Sequence, residues 1–178
     1  MTWHCGDCGA DCDDPAGPGE PPCCVVHGPR WEAVRNAPCA AVIVQRRDGT
    51  VVLGRRGIEP WLGWWEIPGG FSEYGEHPAV TARREALEEV GLAVELVGWR
   101  GVYLHPVPGD GVWRMVTVYL GRPLDPRAEP RVDGVEVVEA GWFALDALPG
   151  RVVPGHLARL RDLADGLDPL TVGWEPGP

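Results

Sequence analysis

The chain contains no lysine: all sixteen of its Lys-plus-Arg residues are arginine, in 178 residues whose formal net charge is −10. Any cationic contact to phosphate or carboxylate therefore falls to planar guanidinium groups, which bind such anions through two parallel hydrogen bonds. A basic excess is also missing, which argues against nonspecific binding of DNA or RNA. No apolar run reaches transmembrane length, and the opening MTWHCGDCG has neither the basic n-region nor the apolar h-region of a signal peptide. The expected setting is the cytoplasm, with no membrane partner. Internal repeats are absent as well.

What is present fits one medium domain with a small appendage: 44% of residues are apolar, 24% are charged, and 25 Gly and 19 Pro promise many turns. An acidic protein that handles anionic ligands generally works through a bound cation. Five of the six cysteines fall before residue 25, within loop-forming sequence such as DCDDPAGPGEPPCC. In a reducing compartment these are thiols, metal ligands or catalytic groups rather than structural disulfides. The expected division is 1–36 for this segment, 37–166 for the main domain and 167–178 for a tail.

From Pro38 the texture changes. CAAVIVQRR reads as a buried strand, DGT as a turn and VVLGRR as a second strand, so a hairpin is expected there. EPWLGWWEIPGG reads as a loop and a short strand around 65–67, stopped by Pro68 and two glycines. A helix is predicted over 78–90, ended by Gly91 in a left-handed conformation. Strands follow at 94–105, 112–120 and 135–143, then a helix over 155–165. Strands on both sides of a central helix imply a mixed sheet covered by helices.

The predicted helix crowds like charges. At about 100° per residue, Glu85, Glu88 and Glu89 share an arc of about 100°. Ala79, Val80, Ala82, Ala86, Leu87 and Val90 gather on the far side, where they are expected to pack on the sheet. The acidic face then looks outward or into a cleft. Like charges three or four apart cost roughly 0.2–0.5 kcal/mol per pair. A hard divalent cation such as Mg²⁺ or Mn²⁺ removes that conflict, and a solvated acidic face is the alternative.

Gly70, Glu76, Arg84, Glu85, Ala86, Glu88, Glu89, Gly91 and Leu92 follow the spacing G, five residues, E, seven residues, R-E-U-x-E-E-x-G-U, with U a bulky aliphatic. This stretch resembles the signature of the Nudix hydrolases, Ala86 alone being smaller than usual. The resemblance implies an α/β/α sandwich and divalent-metal-dependent hydrolysis of a nucleoside diphosphate derivative: an ADP-ribose-like compound, a dinucleotide or a nucleotide sugar. It further implies Glu85, Glu88 and Glu89 as metal ligands with the Gly69 carbonyl, and Gly70, Glu76, Arg84 and Gly91 as architecture. Glu85 or Glu89 is the expected general base, with Glu139 as a downstream candidate that reads equally as a strand-edge residue. A Nudix-like domain that only binds its ligand, as a sensor or regulator, is the competing class; the intact glutamate set argues against it.

On the substrate side, Arg55 and Arg56 are candidates to fork onto phosphate. Trp61, Trp64 and Trp65 offer flat surfaces for stacking, or simple core packing. Glu66 stands where related ADP-ribose-type enzymes also have Glu, and Pro106 resembles a proline that marks those enzymes. The SQPWPFP array of NADH pyrophosphatases is absent.

The N-terminal CGDCG and CVVHG supply Cys5, Cys8, Cys24 and His27 as two knuckles, each followed by glycine. They resemble a zinc ribbon, four ligands around tetrahedral Zn²⁺, with Cys12, Cys23 and His4 as substitutes. A closed site of this kind is structural, and serves as a dimer contact or a wall of the substrate cleft, so a homodimer is one partner it allows. Cys39, inside an apolar strand, reads as core.

Overall fold

The computed structural model describes residues 3–5, 8, 10–14, 23–29, 37–106, 113–132 and 134–168. The chain divides into two units, Met1–Arg35 and Asn36–Pro178. The first holds four short strands, β1 (Trp3–His4), β2 (Asp11–Asp13), β3 (Cys23–Cys24) and β4 (Gly28–Pro29), paired antiparallel in that order. Such short strands bury little apolar area of their own.

The second unit is built on β5 (Ala37–Val44), an eight-residue strand that is buried on both faces from Cys39 to Val44. Its side chains alternate with the period of two that strands impose. Cys39, Ala41 and Ile43 enter one apolar cluster, with Val116, Val118 and Leu160; Ala40, Val42 and Val44 enter another, with Ala82, Ala86 and Val90. β5 pairs antiparallel with β8 (Gly69–Phe71) and parallel with β10 (Trp113–Pro123), which pairs antiparallel with β9 (Val94–Pro106). A second, antiparallel sheet joins β11 (Val137–Phe143), β6 (Val51–Arg56) and β7 (Trp65–Glu66). Helix α1 (Pro78–Val90) packs on one side of this assembly and α2 (Pro154–Ala164) on the other, the α/β sandwich that the sequence implied.

Three local expectations are corrected. The turn forms but not the hairpin: the Arg46 N–H to Thr50 carbonyl hydrogen bond at 2.9 Å and a Gln45–Val51 bridge close the turn, while β5 and β6 belong to different sheets. Both strands are apolar on both faces, so each is flanked by partners distant in sequence. The short strand does stop before Pro68, as β7, but the glycines that follow form a new strand, β8, with Gly69 opposite Ala41 and Gly70 opposite Ala40. A Cβ on Gly69 would lie 2.5 Å from the Ala41 Cβ and 2.7 Å from the Ala40 carbonyl oxygen, so this close pairing needs glycine. Finally, Val80 and Leu87 are half exposed, whereas Glu85 and Glu89 are only 8% and 7% exposed. The buried arc of α1 runs from Thr81 through Glu85, Glu89, Ala82 and Ala86 to Val90. Two carboxylates therefore lie inside the packed face of the helix.

The ends of α1 match their local signals. His77 Nδ1 accepts from the Ala79 N–H at 3.1 Å, Pro78 occupies the first turn, and Gly91 adopts φ 67°. The Gly91 and Leu92 N–H groups close on the Leu87 and Ala86 carbonyls at 3.1 and 3.0 Å. Pro106 ends β9, but its side chain, residues 107–112 and the tail 169–178 lie outside the described residues. Among the described residues, no helix is long and apolar enough to cross a membrane.

Candidate active site

Strand β8 and helix α1 set the site between them. The Gly69 N–H donates to Glu89 Oε2 at 2.9 Å, which fixes that carboxylate against the strand. Gly70 leaves room for the next carboxylate: a Cβ there would lie 2.5 Å from Glu85 Oε1 and 2.9 Å from Oε2. Burial raises the pKa of both acids. Glu66 and Glu85 push Glu89 further up, while Arg84 partly offsets the rise at Glu85.

Arg84 is the hub of the loop that joins β8 to α1. Its Nε donates to Glu76 Oε1 at 3.0 Å, Nη1 to Glu85 Oε1 at 2.9 Å and Glu88 Oε2 at 2.8 Å, and Nη2 to the Phe71 carbonyl at 2.9 Å. Hydrogen bonds from Arg84 hold the Glu76 carboxyl down at about 2. Glu76 Oε2 also accepts from the Glu73 N–H and lies 2.8 Å from Thr81 Oγ1, so the loop is pinned at several points. One guanidinium thus spans three carboxylates, with Glu89 as a fourth turned inward.

That division has a consequence for metal binding. Among the described residues, Glu85, Glu88 and Glu89 do not bring their ligand atoms to one point; Cys5, Cys8, Cys24 and His27 form the group that does. Arg84 draws Glu85 and Glu88 to itself, while Gly69 holds Glu89. The donors are nonetheless carboxylate oxygens, two of them buried among like charges, which suits a hard divalent cation.

The substrate-side residues separate. Arg56 donates through Nη1 to both Glu66 oxygens at 2.7 and 2.8 Å and through Nε to the Pro60 carbonyl at 2.7 Å. Burial still raises Glu66 to about 7, with Arg56 opposing it. Arg55 faces away with Glu139 across the β6–β11 register, as an exposed pair at 2.8 Å. Trp65 packs edge-on against Phe143, ring centroids 4.9 Å apart, beside the α2-side core. Trp61 and Trp64 contact each other at 4.9 Å, and Trp61 lines a cavity of about 170 Å³ that also borders Gly69, Gly70, Arg56 and Glu66.

The same cavity reaches Cys39, which is core as expected, and residues that sequence reasoning missed: Arg114, His156 and Arg159. Arg114 stacks over the Phe71 ring at 4.9 Å, and His156 Nδ1 accepts from the Ile67 N–H at 3.1 Å. Arg159 is 2% exposed, and burial lowers it to about 10. The available signal was a charge set inside the apolar stripe of α2, beside Leu160.

In the N-terminal unit the four ligand atoms lie within 4.8 Å of one another. Cys8 and Cys24 sulfurs are 3.9 Å apart, and His27 Nδ1 is 3.4 Å from Cys5 and 3.7 Å from Cys24. Tetrahedral zinc with ordinary bond lengths requires edges of about 3.8 Å between sulfurs and about 3.5 Å between sulfur and nitrogen. The donors fit that ion. Cys12 turns instead toward the Ala10 carbonyl, Cys23 is outside the group, and the His4 side chain lies outside the described residues.

A family model described as NUDIX domain matches residues 35–163. A MutT-like protein from Streptomyces ambofaciens is 31% identical over 129 residues, covering 72% of this chain and 77% of that protein. An NAD-capped RNA hydrolase NudC from Chromobacterium violaceum is 31% identical over 169 residues, covering 90% of this chain and 59% of that protein. The solved structure of a MutT NUDIX hydrolase from Burkholderia pseudomallei superposes with TM-score 0.65 at 30% identity, covering 71% of this chain and 97% of that one.

Proposed function

The chain belongs to the Nudix family of hydrolases, and from that premise we propose that it hydrolyses the diphosphate linkage of a nucleoside diphosphate derivative with the help of Mg²⁺ or Mn²⁺. The observation that carries this reading is the seating of Glu85 and Glu89 against Gly70 and Gly69, beside a cavity that borders the same two glycines. Glu85, Glu88 and Glu89, with the Gly69 carbonyl, would hold the cation. When bound, it neutralises charge on the diphosphate oxygens and makes water nucleophilic near neutral pH.

The chain's own residues do the rest. Glu76 and Arg84 keep the loop and the helix in register, so that the carboxylates stay close to one another before a cation or substrate arrives. Release of Glu85 and Glu88 from Arg84 toward a cation exchanges one positive partner for another. Glu85 or Glu89 takes the proton of the attacking water. Glu139, held by Arg55 on an exposed strand, is less suited to that task. Arg56, already bound to Glu66 and Pro60, shapes the wall of the cavity more than it captures phosphate, and Trp61 replaces Trp65 as the ring available to a flat group.

Cys5, Cys8, Cys24 and His27 hold a structural zinc in this reading. The relative that covers 90% of the chain must align into this segment, since residues 36–178 alone make up a smaller share. The enzymatic assignment is tested by following cleavage of ADP-ribose, NADH, a diadenosine polyphosphate and a nucleotide sugar with Mg²⁺ and with chelator. Turnover of at least one, abolished by chelator, supports it; no metal-dependent turnover on any member of a panel widened to nucleoside triphosphates would leave the binding-only class in its place.

A further inference from the structure

Four buried side-chain donors lack a hydrogen-bond partner among the described residues: Arg46 Nε, Trp142 Nε1, Trp61 Nε1 and Arg159 Nε. The first two belong to one stacked pair, with the Arg46 guanidinium 4.0 Å from the Trp142 ring. The other two, distant in sequence, line the same cavity beside Gly69 and Gly70. Buried donors without acceptors are rare in native proteins, and two in one wall call for a common explanation.

Arg159 is the sharper case. Its guanidinium makes no hydrogen bond or ion pair among the described residues, and its nearest compensation is the face of Tyr103, 5.4 Å from the ring centroid. Neighbouring carboxylates are engaged elsewhere. Glu66 is bound by Arg56, and Asp162 accepts from the Tyr103 hydroxyl at 2.8 Å. Among the described residues the lining also holds Arg114, and its one carboxylate, Glu66, is already taken by Arg56. A buried, uncompensated guanidinium is costly to keep unless a ligand supplies the missing charge. The space, about 170 Å³, is many times the roughly 10–15 Å³ that one water needs.

We propose that this cavity is a charge-reading subsite in which Arg159, with Arg114 also in the wall, takes a compact anionic group, phosphate or carboxylate, that the substrate carries beyond its diphosphate. Trp61 adds a neutral donor to the same group. The proposal rests on the reading that the diphosphate lies against Glu85 and Glu89, because the cavity borders the glycines that seat those two carboxylates. Arg159 is then a specificity-determining residue, remote in sequence from the family signature.

The test compares three matched nucleoside diphosphate derivatives that end in a hydroxyl, a phosphomonoester or a carboxylate, with wild type, Arg159→Met and Arg159→Lys. Wild type should favour one or both charged ends by on the order of tenfold to a hundredfold in kcat/KM, the range of a charge-assisted contact. The preferred end tells phosphate from carboxylate. Arg159→Met should bring the ratio close to one, mainly through KM, and Arg159→Lys should keep part of it. A ratio that Arg159→Met leaves unchanged overturns the proposal.

A second measurement is independent of turnover. Millimolar orthophosphate, at constant ionic strength and with chelator present, should raise the Tm of wild type and of Arg159→Lys more than that of Arg159→Met. Equal shifts in all three proteins, or none in wild type, count against the subsite. Because this arm needs no catalysis, it still decides the matter if the hydrolase reading itself fails. If Arg159→Met does not fold, the wild-type and Arg159→Lys arms carry the result: loss of the orthophosphate shift in both overturns it.

Discussion

Adding one methyl group at Gly70 separates catalysis from stability. In Gly70→Ala the new Cβ would meet Glu85 Oε1 at 2.5 Å, Cδ at 2.7 Å and Oε2 at 2.9 Å, where ordinary contact begins at 3.4 Å. The carboxylate must therefore move by about 0.9 Å, the difference between the ordinary and the shortest contact. It can do so, because the obstructed atoms are the far end of a side chain and Arg84 is a flexible partner. Strain of about 1 kcal/mol is expected, and alanine regains about 0.5–1 kcal/mol over glycine within a strand. The Tm should consequently stay within about 3 °C of wild type, given a shift of roughly 2–4 °C per kcal/mol at this size. Activity should respond differently: displacement of a positioned group by about 1 Å costs on the order of 100-fold in kcat. Gly69→Ala is the control, since its Cβ meets the Ala41 Cβ and the backbone of β5 rather than the far end of a movable side chain, and it should lower Tm far more. Thermal unfolding and steady-state kinetics on the best substrate of the panel check both halves. A Gly70→Ala enzyme with kcat within threefold of wild type would refute the argument that Gly70 makes room for a catalytically positioned Glu85.

Replacing Arg84 with Gln should cost about 1–2 kcal/mol at pH 8, discounted because the side chain is a quarter exposed; calorimetry should show a smaller loss at pH 5 and partial recovery with Mg²⁺, since protons or a cation then take over the role of the guanidinium. Glu76 has its folded pKa near 2, below the ordinary 4.5, so it adds stability that is complete above pH 4.5 and fades as pH falls toward 2; the Tm gap between wild type and Glu76→Gln should accordingly close over that window, and a gap that is constant with pH would show that Glu76 acts by packing alone. In the N-terminal unit, elemental analysis of protein purified without chelators should find about one zinc per chain, falling below half in Cys24→Ser but not in Cys12→Ser.

How much of this was legible in the sequence depended on the distance over which each signal acts. The limits of α1 were readable because His77, Pro78 and Gly91 work within one turn. The knuckle spacing picked out Cys5, Cys8, Cys24 and His27, but setting aside Cys12 and Cys23 required the pairing of β2 with β3 and of β3 with β4. The expected hairpin does not form: a strand that is apolar on both faces does not reveal its partner, and β5 finds its own about thirty and nearly eighty residues away. Periodicity likewise placed Leu87 inside and Glu85 outside, since it weighs hydrophobicity alone and cannot anticipate a glycine strand that seats carboxylates. Arg159 on α2, Arg114 on β10 and Trp61 in the β6–β7 loop meet only once the sheet and α2 are assembled.

The central claim, that the buried carboxylates of α1 support metal-dependent diphosphate hydrolysis, is tested most directly by turnover of the best substrate in wild type and Glu89→Gln, each with Mg²⁺ and with chelator. Hydrolysis should require Mg²⁺ in wild type and fall at least on the order of 100-fold in the variant, the scale of losing a group that positions or deprotonates the attacking water. Equal turnover in the two proteins, or turnover that survives chelation, would contradict the account.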